Sequence, residues 1–270
     1  MTAIITEKFR AHNANQFFES FTEASGNTYY LMIGKATAFS SGTSGGTDDS
    51  PPTPADDISS EFYTWDSSIA AKKIASSNIT YAIPRRDWAN GTIYDMYEDN
   101  ISSSNATTSG ATNIFDSTFF FRTSDNRVYK VLDNNSGTAY SGAEPTSEST
   151  STFVLGGYTL KYMYAITASE QASYLTTDFM PVSTDSTVSS AAVDGSISSI
   201  IVTNTGSGLT NGTYYAAVYG DGTSAGTSSG AIIKISVASN VISAVSTGNT
   251  GIQQAGAGYT FGTVNLGSGF

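Results

Sequence analysis

Tyr158-Thr159-Leu160-Lys161-Tyr162-Met163-Tyr164-Ala165-Ile166 sets large apolar side chains at 158, 160, 162 and 164 against Thr159, Lys161 and Met163. Successive side chains of an extended chain point to opposite faces, so this period of two predicts a half-buried strand with an aromatic inner face. Working outward, Phe115 to Phe121 and Arg127 to Leu132 are β-prone runs, and Thr123-Ser124-Asp125-Asn126 between them predicts a hairpin. Asn134-Asn135-Ser136-Gly137 ends the second run. Tyr29 to Ile33 and Asn78 to Ile83 have β character, Ala3 to Thr6 reads as a short strand, and Asn90-Gly91 is a strong turn signal.

Helical signals are few. Asn13 stands three residues ahead of Gln16, a capping-box spacing, and Ala14, Phe17, Phe18 and Phe21 follow at i, i+3, i+4 and i+7, with Gly26 placed to end the helix. Trp65 to Ile74 is expected to form a second short helix capped by Asp66 or Ser67. Between them, Ala38 to Asp57 is a Gly, Ser, Asp and Pro loop of a length that is more often bound to a partner than idle. The expected fold is mainly β: a layered β-sandwich body with one or two short helices over residues 1–190, then a small glycine-rich β appendage over 191–270.

The boundary near residue 190 rests on composition. The last 80 residues carry only three charged side chains, Asp194, Asp221 and Lys234, and they repeat a motif at a spacing of 50. Gly206-Ser207-Gly208-Leu209-Thr210-Asn211-Gly212-Thr213 aligns with Gly256-Ala257-Gly258-Tyr259-Thr260-Phe261-Gly262-Thr263. Ala231 to Val237 and Val241 to Val245 alternate around Ser239-Asn240, which predicts a compact hairpin. This section resembles the glycine-rich β modules of phage structural proteins and adhesins.

Charge and composition narrow the function classes. Charged residues make up 13% of the chain, about half the usual share, and the surface is correspondingly neutral. The 12 basic residues are dispersed through a chain of net charge −11, which argues against a nucleic-acid-binding stripe. No signal region or apolar run of membrane-helix length is visible, so no membrane insertion is expected and the chain reads as made in the cytosol. The absence of Cys removes disulfides, thiolate metal sites and a cysteine nucleophile together. His12 is the only histidine, beside the start of the first helix, where a solvated or capping role is expected. The acid pairs Asp48-Asp49, Asp56-Asp57 and Glu98-Asp99 lie in polar surroundings, and neighbours in sequence do not flank a substrate as glycosidase carboxylates do. Gly206-Ser207-Gly208 lacks the lysine and helix of a phosphate loop, and Asp221-Gly222 near Asp194 is not a calcium ligand array. No catalytic, metal or cofactor site is expected.

One segment is unusually dense in fixed chemistry. Tyr81-Ala82-Ile83-Pro84-Arg85-Arg86-Asp87-Trp88 joins a proline, two arginines, a carboxylate and one of two tryptophans. Pro84 fixes its own φ and extends Ile83, so Arg85-Arg86-Asp87 leaves a defined corner. Arginine and tryptophan are also frequent interface hot spots. As a surface turn, the same residues would hold an Arg–Asp ion pair beside a half-buried Trp. Arg85 or Arg86 is expected to pair with a carboxylate, either Asp87 or one from a neighbouring subunit.

Further motifs stand in order around that corner: Ala3-Ile4-Ile5-Thr6-Glu7-Lys8-Phe9-Arg10, Asn15-Gln16-Phe17-Phe18-Glu19-Ser20, Tyr30-Leu31-Met32-Ile33-Gly34-Lys35, Ser50-Pro51-Pro52-Thr53-Pro54, Val128-Tyr129-Lys130-Val131-Leu132-Asp133, Gly157 to Tyr164, and Thr177-Asp178-Phe179-Met180-Pro181-Val182. Over residues 3 to 182 this series resembles the baseplate wedge protein of contractile-tailed bacteriophages, the dimeric outer-wedge subunit. Residues 191 to 270 do not follow that pattern. The resemblance implies a non-enzymatic virion protein of the tail baseplate, assembled in the host cytoplasm. Its implied partners are itself, as a homodimer, other wedge proteins and proteins near the tail-fibre attachment region. Interface candidates are Pro51, Pro52, Pro54, Pro84, Arg85, Arg86, Asp87, Trp88, Tyr162 and Tyr164. An alternative is a host-receptor or carbohydrate-binding tail protein, with Tyr214, Tyr215, Tyr219 and Tyr259 as glycan contacts. A third reading, a polysaccharide-degrading enzyme, needs a carboxylate whose loss abolishes turnover.

Overall fold

The computed structural model describes residues 7–23, 27–34, 47, 49–50, 53, 57–58, 65, 68–98, 101–198, 200, 202, 204–220, 229–245, 251–259 and 262–264. The strand expected over 3–6, the helix stop at Gly26, and most of the 38–57 loop, with Pro51, Pro52 and Pro54, lie outside the described residues. So do Asp48, Asp56, Asp66, Ser67, Asp99, Asp221 and Gly222. Strand accounts for 35% of the chain and helix for 14%, so sheets set the fold, as the alternation predicts. The chain divides into two compact units, Met1–Tyr81 and Ala82–Phe270.

In the first unit, α1 spans Glu7–Glu19 and β1 (Tyr29–Gly34) pairs antiparallel with β2 (Ser68–Ile74). An aromatic cluster ties the end of α1 to the start of β1. Phe21 lies 5.2 Å from Phe17 and 4.4 Å from Tyr29 between ring centroids, and Ser20 Oγ meets Tyr29 Oη at 2.8 Å. Phe18 stacks on Tyr81 at 4.5 Å.

Three elements of the first unit and its exit depart from expectation. α1 begins at Glu7, so Asn13 is not its N-cap and His12 lies mid-helix, exposed. Glu7, Lys8, Arg10 and Ala11 are good helix formers, and they carry the helix past the capping signal toward the N-terminus. The segment expected to be a second helix runs as β2 from Ser68 to Ile74: the Ala-Ala-Lys-Lys preference for helix yields to cross-strand pairing with Tyr29–Gly34. Ser76–Asn78 forms a 3-10 turn closed by Ala75 N–H on Asn78 Oδ1 at 3.1 Å, so the strand expected from Asn78 is confined to β3, Ala82–Pro84.

The second unit centres on a four-stranded antiparallel sheet in the order β4-β5-β7-β6, with β4 at Phe120–Arg122, β5 at Arg127–Asp133, β6 at Phe153–Leu155 and β7 at Tyr158–Ala165. The β4–β5 hairpin turns where expected, with Asn126 at φ 64°. Residues 115–119 precede the strand, because Asn113 Oδ1 accepts from the N–H groups of Phe115 and Asp116 and holds a turn there. One buried cluster contains Tyr94, Phe121, Tyr129, Val131, Tyr140, Tyr158, Leu160 and Tyr162; another contains Phe120, Val128, Tyr164, Ile166 and Met180. A register shift between Val128 and Tyr129 accompanies the change, along β7, from the first cluster at Tyr162 to the second at Tyr164.

Helix α2 (Ala168–Tyr174) follows β7 with a Thr167–Glu170 capping box, then β8 (Phe179–Pro181) pairs with β3, and α3 (Ser186–Ala191) is capped by Asp185. Beyond it, the long β11 (Ser229–Ala238) pairs with β9 (Gly212–Ala217) on one side and with β12 (Val241–Val245) and β13 (Ile252–Ala257) on the other, while β10 (Tyr219–Gly220) meets β14 (Gly262–Thr263). Ser239 and Asn240 both have positive φ, at 54° and 62°, as a tight hairpin turn requires. The two repeat copies share backbone geometry: Gly206 and Gly256 lie at φ 69° and 65°, and Gly208 and Gly258 at 70° and 76°.

Candidate functional site

Pro84 closes β3, with Phe179 opposite it and Met180 opposite Ile83. A proline has no N–H to donate, which suits it to a sheet edge. The chain then turns the corner under backbone control. Arg85 N–H donates to Asp178 O at 2.8 Å, Arg122 N–H to Arg86 O at 2.7 Å and Trp88 N–H to Arg122 O at 2.8 Å.

The side chains divide between two tasks. Asp87 accepts from Arg85 Nη2 at 2.8 Å and from Arg122 Nη2 at 2.6 Å, so one half-exposed carboxylate bridges two guanidinium groups. Arg85 Nη1 continues to Thr176 O at 2.9 Å, and Arg122 Nη1 donates to Asn126 Oδ1 in the hairpin turn. Burial raises the Asp87 carboxyl, but hydrogen bonds and charge from Arg85 and Arg122 outweigh it and hold it below the usual carboxylate range. Arg86 points elsewhere. Its Nη2 donates to Phe115 O at 3.0 Å and Asp116 O at 3.2 Å, and its guanidinium lies 5.3 Å from the Phe120 ring centroid. Burial lowers its pKa, yet a guanidinium starts so far above neutrality that it stays charged. Trp88 packs edge-on against Tyr140 at 5.8 Å, half-buried. The corner therefore joins β3, β8, the β4–β5 hairpin and the 113–116 turn.

Two of its supports are not evident from the sequence. Arg122 lies 35 residues from Asp87 in the chain, at the end of β4. Asp95 is fully buried and accepts from Ser109 N–H at 2.7 Å, Ser109 Oγ at 2.7 Å, Ser117 Oγ at 3.2 Å and Thr118 N–H at 2.8 Å. Burial raises its carboxyl and these donors overcome the effect, leaving the pKa lowered. Asp95 thus anchors the loop whose Phe115 and Asp116 carbonyls receive Arg86.

The other candidate residues are placed differently. Tyr162 and Tyr164 are buried, with their hydroxyls on Asp185 Oδ2 at 3.2 Å and Pro181 O at 3.1 Å, so both serve internal packing. Of the four appendage tyrosines, Tyr215 and Tyr219 are exposed, at 60% and 74%, while Tyr259 is buried and Tyr214 half-buried. A polar hollow of about 90 Å³, lined by Met96, Glu98, Asn105 and Thr107, has room for only a few waters. Among the described residues, no group of three or more His, Cys, Asp or Glu could hold a metal ion, and no helix is long and apolar enough to cross a membrane. In this arrangement charge and hydrogen bonds fix loops to the sheets beside them.

No curated protein matches the chain. The family model described as Bacteriophage T4, Gp8 matches residues 3–136. That span contains the 84–88 corner, Asp95 and Arg122, while Tyr162, Tyr164, the last part of the resemblance to residue 182, and the appendage lie beyond it. Through this N-terminal half, the chain takes its place among the baseplate wedge proteins of myoviruses, in the family of the T4 protein gp8.

Proposed function

We propose that the protein works as a structural subunit that holds neighbouring wedge proteins together near the tail-fibre attachment region, pairing as a homodimer and carrying out no catalysis. The family match over residues 3–136 is the observation that carries this reading. The corner supports it: Arg85, Arg86, Asp87 and Arg122 are all engaged in fixing local structure. The Arg85–Asp87 side of the corner, with the Asp87 side chain 48% exposed, is the part available to a neighbour. The layered-sandwich body to residue 190 and the appendage from 191 belong to the same reading. Within the appendage, Gly258 N–H donates to Asp194 O, Tyr259 N–H to Gly195 O and Ile197 N–H to Ala255 O, closing its two ends on each other.

Copurification of the chain with phage tails, and crosslinks from it to wedge components, test the central claim. A chain absent from purified tails would overturn it. Light scattering tests pairing: a monomer at high micromolar concentration would remove the homodimer. A truncation after residue 190 tests the domain reading, and an insoluble product would show a shared core.

The exposure of Tyr215 and Tyr219 favours a second reading, in which the appendage contacts host glycans. Glycan-array binding by the full chain, lost on Tyr215→Ala with Tyr219→Ala, would support it. Absence of binding would leave these tyrosines to assembly contacts.

A further inference from the structure

The β1–β2 ribbon presents apolar side chains on both faces. Directly paired residues of an antiparallel ladder share a face. Tyr30, Met32, Ala71 and Lys73 therefore lie on one side, and Leu31, Ile33, Ala70 and Lys72 on the other. Tyr30 is 64% exposed, Leu31 53%, Met32 38%, Ile33 51% and Ile69 64%, with one lysine on each face at the Tyr29 end. Among the described residues, Phe17 and Phe21 pack on the ribbon only at Tyr29, and a two-stranded ribbon with little cover is marginal in water, the more so with apolar residues on both faces.

We propose that this ribbon is a docking arm that inserts into an apolar cleft, rimmed with carboxylates, on a neighbouring baseplate protein; the proposal rests on the baseplate reading above. Three observations select this occupant. Both faces need cover, which a cleft supplies and a flat contact does not. The five exposed side chains offer on the order of 500 Å² of apolar surface, a large share of the roughly 800 Å² that each partner contributes to a stable interface. The only charges on the ribbon are Lys72 and Lys73, and neither has a carboxylate partner among the described residues. Two lysines at one end of an apolar strip call for acids at the mouth of the cleft, and they also disfavour docking on another basic surface.

The chain has no cysteine, so Leu31→Cys and Met32→Cys each place a single thiol on one face of the ribbon. Maleimide labelling is measured on the free full-length chain and on purified tails containing it. Both thiols should react readily in the free chain and about tenfold or more slowly in tails, since thiol reactivity follows exposure. Lys72→Glu with Lys73→Glu should reduce incorporation into tails while leaving the circular dichroism of the free chain unchanged; unchanged incorporation would overturn the carboxylate rim. Rapid labelling in tails would overturn the docking arm and leave the baseplate reading intact. Protection of one thiol alone would replace the cleft with a flat contact, and protection already in the free chain would mean that the chain itself or a second copy covers the ribbon. Wild-type chain missing from tails would instead remove the baseplate reading, and this proposal with it.

Discussion

Replacing Asp95 by Ala should loosen the 105–118 loop more than any surface change in the same segment. Four donors converge on its carboxylate, but they are not equally costly to strand. Ser109 is exposed, so water can take over its N–H and hydroxyl; Ser117 is buried and Thr118 partly so. Leaving two such donors unpaired at about 1–3 kcal/mol each gives an expected loss of about 3 kcal/mol. Where the loop opens locally, that loss corresponds to amide exchange roughly 100-fold faster. Hydrogen–deuterium exchange on peptides covering 105–120 reads this directly, without assuming that a two-unit chain unfolds in one step. Asp116→Asn, an exposed change in the same loop, should stay within about 0.5 kcal/mol. The folded pKa of Asp95 is lowered, so its stabilisation is present above the unfolded value, near 3.9, and is lost as pH falls through the folded value. The difference between wild type and Asp95→Asn should therefore hold from neutral pH to about pH 4 and shrink below it. Exchange in Asp95→Ala within about threefold of wild type would refute the claim that this carboxylate organises the loop.

Arg122→Ala should cost about 2–3 kcal/mol by chemical denaturation, because Arg122 is nearly buried and ties Asp87 to the hairpin turn, whereas Arg85→Ala, at a more exposed end, should cost about 1 kcal/mol or less. Equal losses would show that the network is not ordered by burial. Gly256→Ala brings a Cβ to 2.7 Å from Ser229 O and 2.8 Å from Ala231 N at φ 65°, while Gly208→Ala, at φ 70°, meets nothing within 4 Å. Both lie in the left-handed region, so Gly208→Ala should cost about 1 kcal/mol and Gly256→Ala clearly more, as read from thermal melts. Lys130 sits with Nζ 3.2 Å from the Tyr97 ring centroid, and burial, with a smaller effect from Lys161, lowers its pKa to about 8. A lysine with a depressed folded pKa is destabilising while protonated, so stability should rise as pH increases from about 8 toward 10, and Lys130→Met should abolish that rise.

What could be read from the sequence was local. Tyr158 to Ile166, the 123–126 turn and the Ser239-Asn240 hairpin each state their geometry within ten residues, because strand alternation and turn chemistry act on neighbours. The Arg85–Asp87 pair was readable for the same reason. Ala70-Ala71-Lys72-Lys73 misled, because its helix preference is weak beside a ladder contributed from forty residues away. Asp95 gave no signal at all: its donors come from loops 14 to 23 residues distant, without periodicity, and only the fold brings them together. Arg122 was hidden in the same way, since an arginine after two phenylalanines in a strand looks like a surface residue until Asp87 is placed beside it.

The tyrosines connect these observations. Sixteen tyrosines in a chain with few charges can be read as a surplus available for pairing, and that surplus is an argument for a dimer. Much of it is used within the second unit. Tyr129 donates to Ser147 O at 2.9 Å, Tyr140 to Ala143 O at 3.0 Å, Tyr158 to Thr138 O at 2.7 Å and Tyr164 to Pro181 O at 3.1 Å. In each case the ring fills the core and the hydroxyl reaches a carbonyl outside the sheet. Burial pushes Tyr129, Tyr140 and Tyr162 up to about 12, so these phenols remain protonated at neutral pH. Tyr162 does the same for α3, through the Asp185 carboxylate that caps it. A buried tyrosine adds a loop tie to its packing area, which a phenylalanine could not. This arrangement lets a low-charge chain with long connections hold its loops fixed, as a part of an assembly must. It also moves the case for a homodimer away from aromatic content, leaving the light-scattering measurement to decide it.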